Sequence, residues 1–183
     1  MECNAIVLIT LCFCNLASSI SWDSIRCSAD EDQKTPEGKV PDIGRFPWIG
    51  VVQHSFYLGG KTRFAITTGV LIHPAYAIAP AEDISKIQTE ALTNNTKFIV
   101  WQRESLKYIM DVFDYYLHSE FHDGETFASL ALLQLSTQGE TGVGDVAAPV
   151  LPICLPVKGA GVYSDLYAVR MTDGLYFKLT EIL

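Results

Sequence analysis

No stretch of the sequence is both long and apolar enough to cross a bilayer as a helix, which takes about 20 residues. No Lys/Arg cluster is present either: 13 basic residues face 21 acidic ones, for a net charge of −8. Such an acidic surface argues against nucleic acid and anionic membrane as partners. Cysteine is scarce, with five in 183 residues, too few for a disulfide-stapled miniature scaffold or a zinc module. There is no internal repeat, no Gly-x-Ser-x-Gly motif, and no segment with the apolar stripe of an amphipathic helix. What remains is a globular composition, 49% hydrophobic, sufficient for one domain with a real core.

The N-terminus reads as an export signal. Ile6 to Leu16 is apolar except for Thr10 and Asn15, and the small residues Ala17, Ser18 and Ser19 follow, so a cut after Ser19 is expected. The flank carries Glu2 and no Lys or Arg; an uncleaved anchor is the alternative. Cleavage removes Cys3, Cys12 and Cys14 and leaves a net charge of −7, since only Glu2 is lost. Two cysteines remain, Cys27 and Cys154. In an oxidising compartment they most simply form one long-range disulfide, with two free thiols or a cross-link to another chain as the alternatives.

Ser28 to Lys39 is polar and reads as an exposed linker. From Phe46 the pattern becomes one of short apolar runs between turn signals: Trp48–Val52, Phe64–Ile72, Tyr76–Ala79, Lys97–Trp101, Tyr108–Tyr116, Leu130–Leu135, and then Leu166–Met171 and Leu175–Leu179. Gly59-Gly60 suits a hairpin turn that needs positive φ. The spacing predicts an all-β sandwich or barrel. Asn94-Asn95-Thr96 is an N-glycosylation acceptor in a polar segment between two strands, where a surface loop is expected.

Five segments in order resemble the first barrel of the chymotrypsin/trypsin-like serine proteases, from Gly44 to about Pro156. They are Phe46-Pro47-Trp48, Thr68-Gly69-Val70-Leu71-Ile72 running on to Ala75–Ala81, His118-Ser119-Glu120-Phe121, Ala131–Leu135, and Pro149–Pro156. The resemblance implies an all-β, chymotrypsin-like fold. It would comprise the first barrel with its crossover (44–156) and only the start of a second barrel (157–183), after a signal (1–19) and a linker (20–43). It also implies a disulfide between Cys27 and Cys154, which matches the bridge tethering a pro-segment in the family.

The departures from the family pattern concern chemistry. A serine-protease triad needs an imidazole base, a carboxylate that orients it, and a hydroxyl nucleophile. Where the resemblance places the histidine stands Glu82, and where it places the aspartate stands Ser129. A carboxylate, with a reference pKa of about 4.3, is poorly matched to a serine hydroxyl. The region expected to carry the nucleophile and oxyanion hole is not matched. A local disulfide of the family is also replaced, with Thr67 and Asp83 at its two positions, and Thr35–Gly38 stands in place of an activation sequence.

We therefore expect no catalytic residues and no cofactor. The resemblance implies a secreted pseudoprotease that binds another extracellular protein, a protease, an inhibitor or a surface ligand. A degenerate or truncated product without a stable function is the alternative, as is a sequence that continues in a longer product. Two further features are weighed. His118, Glu120 and His122 would share one face if 116–123 stayed extended, and could then hold zinc; an exposed polar loop is expected instead, and no metal. Phe113, Tyr115 and Tyr116 are expected in the core and the barrel seam.

Overall fold

The structure, a computed structural model, describes residues 26–27, 46–103, 106–136, 140–141, 150–156, 166–172 and 176–182. The proposed signal, nearly all of the linker and the Thr35–Gly38 segment lie outside the described residues.

Strands β1 (Ile49–Leu58) and β2 (Lys61–His73) form a long hairpin. Its turn is Gly59-Gly60, at φ 62° and 77°, the two positive values that a two-residue turn of matching twist requires. Then come β3 (Tyr76–Ala79), the short helices α1 (Ala81–Ile84) and α2 (Thr89–Asn95), β4 (Thr96–Arg103), β5 (Leu106–Leu117), β6 (Ala131–Leu135) and β7 (Glu140–Thr141). The sheet order is β4-β1-β2-β3-β6-β5, and β5 pairs back onto β4, so six antiparallel strands close into a barrel. Closure leaves no open sheet edge within the ring. The two-residue β7 pairs with β5, and β8 (Leu166–Thr172) with β9 (Tyr176–Ile182) forms a separate hairpin.

The strand expectations hold within a few residues except that β1 runs six residues past Val52, and two other expectations fail. The segment 81–95 is helical at both ends, where no helix is expected from the pattern. Its apolar positions Ala81, Ile84, Ile87 and Leu92 are all buried, yet each helix is too short for that spacing to register as a period. Phe113 and Tyr116 are also exposed rather than buried, and only Tyr115 of the three packs against the core. The Tyr115 hydroxyl donates to the Ile87 carbonyl at 3.1 Å and so ties β5 to the connection between the helices. Beside it, Asp114 raises the pKa of the Tyr116 hydroxyl by hydrogen bond and charge.

The barrel interior is filled by one apolar cluster that includes Val52, Leu71, Val100, Met110, Val112 and Leu133. At one position the filling is unusually tight. Gly50 and Gly69 face each other across β1 and β2, and the fully buried Phe98 ring lies over both. A Cβ on Gly50 would sit 2.6 Å from the Ile99 carbonyl oxygen and 2.8 Å from the Phe98 ring; one on Gly69 would sit 2.8 Å from that ring. Backbone cannot yield as a side-chain tip can, so Gly50→Ala should cost about 3 kcal/mol or more, the upper part of the overpacking range. Gly69→Ala should cost less. Urea midpoints of the two variants check this, and a neutral Gly50→Ala would contradict the packing described.

Two histidines couple the fold to pH. His54 Nδ1 lies 2.9 Å from the Oγ1 of buried Thr96. His73 Nδ1 accepts the Ala75 N–H at 2.9 Å, which only an unprotonated nitrogen can do. Burial lowers the pKa of both rings. The unfolded chain therefore binds these protons more readily than the folded one. The stabilisation is complete above the ordinary histidine value of about 6.5 and is lost as pH falls through it toward the lower folded values. The unfolding midpoint should drop between pH 7 and pH 5, and the double variant His54→Gln, His73→Asn should flatten that drop. An unchanged slope in the double variant would assign the pH response to other groups.

Candidate functional site

β3 and β6 are antiparallel neighbours, with Ala79 opposite Ala131. The residues leaving β3 and those entering β6 therefore meet at one rim of the barrel. Pro80, extended at φ −62°, caps α1, which turns Ala81 and Glu82 toward the segment before β6. Ala81 N–H donates to the Ser129 carbonyl at 3.3 Å, and Glu82 N–H donates to Ser129 Oγ at 3.4 Å. The structure thus brings Glu82 and Ser129 together at this rim. The backbone before Ser129 is turned sharply, with Ala128 at φ 52°.

The two side chains do not form a proton relay. The Glu82 carboxylate is half exposed and lies 3.7 Å from Lys86 Nζ, one helical turn on. A solvated pair of this kind contributes at most about 1 kcal/mol. Ser129 Oγ serves as a backbone acceptor. Next to Glu82, Asp83 Oδ2 accepts the Thr67 hydroxyl at 2.7 Å, so a polar bond joins α1 to β2 at the positions where the resemblance implies a disulfide. The missing cysteines mark both positions in the sequence, but not the bond between them.

Cys27 and Cys154 are joined by a disulfide, with Cα atoms 4.9 Å apart across 127 residues of sequence. The segment around Cys154 is strapped to the barrel: Ile153 N–H donates to the Leu71 carbonyl at 2.9 Å, Pro152 is fully buried, and Val150 joins the core.

The extended geometry that would align His118, Glu120 and His122 is not formed. The chain turns after β5, with Phe121 N–H donating to the His118 carbonyl at 2.9 Å and Glu120 N–H to His118 Nδ1 at 3.2 Å. Among the described residues no group of three His, Cys, Asp or Glu side chains could hold a metal ion. Asn94 is exposed, but it sits in the last turn of α2 rather than in a loop. The loop expectation overlooks Leu92, buried two residues earlier, which anchors a helical turn.

No family model and no curated protein sequence matches the chain. Solved structures do. The Drosophila Grass clip serine protease of the Toll pathway superposes with a TM-score of 0.59 at 15% identity, over 87% of this chain and 49% of that one. The structure of GrC superposes with a TM-score of 0.52 at 17% identity, over 78% of this chain and 61% of the other. The chain thus spans about half the length of the first and under two thirds of the second. At these identities the likeness is one of fold: the closed six-stranded barrel of this chain is a chymotrypsin-like β-barrel.

Proposed function

We propose that the chain is a secreted, non-catalytic relative of the chymotrypsin-like serine proteases that acts by binding another extracellular protein. The observation that carries this reading is the pair at the barrel rim. Glu82 and Ser129, hydrogen-bonded at that rim, stand where the sequence resemblance would put the imidazole and the carboxylate of a triad. An exposed carboxylate already engaged by Lys86 is a poor acceptor for a serine proton. A nucleophile further along a longer chain would still lack the imidazole that activates it. A regulatory role in a protease cascade is supported by the fold it shares with a clip serine protease of the Toll pathway.

Secretion fits the apolar run at Ile6–Leu16 and the Cys27–Cys154 disulfide. We assign a glycan to the exposed Asn94 and a signal cut after Ser19; a loss of the glycan mass in Asn94→Gln, read by intact mass of the exported protein, checks both.

The exported protein should not hydrolyse peptide amides or activated esters above the buffer rate, from pH 6 to pH 9. Glu82→Ala should leave that baseline unchanged. Hydrolysis by the wild-type chain that disappears in Glu82→Ala would overturn the reading and make Glu82 a working base.

A further inference from the structure

The β1–β2 hairpin runs out past the barrel. β1 leaves β4 after the His54–Thr96 pair, and β2 meets β3 only from Val70. The projecting arm is apolar and open to solvent, with Tyr57 75%, Leu58 65% and Phe64 56% exposed. Between one face of this arm and the helices lies a cleft of about 540 Å³, a volume typical of ligand sites. Val52 and Phe56 line it from β1, and Ile84, Ile87 and Ala91 from the helix side.

Charge is distributed unevenly around this cleft. The whole chain carries −8, yet from Ile49 to Ala81 there is no aspartate or glutamate. Strand alternation puts side chains opposite each other in register on one face. Phe56 is opposite Arg63, and Leu58 is opposite Lys61, so both cations stand on the face that carries Phe56. The His54 and Phe56 rings stack on that face, 6.4 Å apart. On the helix side Lys86 lines the cleft, 3.7 Å from the Glu82 carboxylate. Asp83, which accepts the Thr67 hydroxyl, lines it too, so the excess of cations lies on the arm.

We propose that this cleft docks an acidic segment of a partner protein through one large apolar side chain. That side chain enters between Phe56 and the Ile84–Ile87 wall, while flanking carboxylates meet Arg63 and Lys61 on the arm. The proposal rests on the reading of the chain as a binding protein and names the partner's chemistry. The chain's own acidic run, Asp30-Glu31-Asp32, is a poorer occupant, because Ser28 to Lys39 holds no large apolar residue to fill the cleft.

The test is selection of random dodecapeptides displayed on phage against the full exported chain, with synthetic copies of the winners titrated by fluorescence anisotropy. Enriched peptides should pair a large apolar residue with Asp or Glu. Their affinity should fall about tenfold in the charge-reversed variant Lys61→Glu, Arg63→Glu, as expected for two exposed charges at the edge of a binding site. Ala91→Trp, which fills the cleft, should abolish binding, and raised salt should weaken it. Peptides without acidic residues, binding unchanged in both variants, no enrichment at all, or occupation of the cleft by a second copy of the chain would each overturn the proposal. Mass spectrometry of the bound peptides separates the two readings. Cleaved peptides would end the non-catalytic reading while leaving the site intact, whereas intact peptides insensitive to the variants would end only the site.

Discussion

The packing of Phe98 against Gly50 and Gly69 is the constraint on which the rest of the structure depends. A six-stranded barrel has a narrow interior, and β4 must pair with β1 on one side and β5 on the other to close it. The ring fits only because the two residues beneath it have no side chains. With closure secured, β3 and β6 lie side by side, and the segments beyond Ala79 and before Ala131 are forced together. The Glu82–Ser129 juxtaposition follows from that topology and does not require any attraction between the two side chains.

The rim residues that the sequence resemblance sets at triad positions are engaged in scaffold contacts. Ser129 accepts the Glu82 amide, and the Thr67–Asp83 hydrogen bond connects β2 to the helix beyond β3. Each is a contact that a different polar group can supply. Proton transfer has no such tolerance, since it needs a group of suitable basicity aimed at a nucleophile. Fold and chemistry can separate at such a rim, which is why the likeness to proteases speaks for the architecture and the side chains speak for the function.

Much of this architecture was legible in the sequence. Alternating β-branched and aromatic runs located the barrel strands, and Gly59-Gly60 located the hairpin turn, because period and turn chemistry are local properties. The helices within 81–95 were not legible, since one has four residues and the other seven, too little length for a period, and their polar faces read as loop. The exposure of Phe113 and Tyr116 was not legible either: pattern marks a residue as apolar, but whether a neighbour covers it depends on tertiary context. The exposed polar loop at 118–123 was legible, and a bond from the Glu120 N–H to His118 Nδ1 turns it. Dependence on tertiary context hid the cleft beneath the arm, whose two walls are far apart in sequence.

The most direct test of this account is equilibrium unfolding of the exported chain, followed by tryptophan fluorescence, with and without reductant. Trp48 is buried in the core, so its emission reports the barrel. The oxidised protein should unfold in one cooperative transition and lose about 2–4 kcal/mol on reduction of Cys27–Cys154. A gradual, non-cooperative change that is indifferent to reductant would contradict this account, because a chain without a closed core could not hold the rim or the cleft in place.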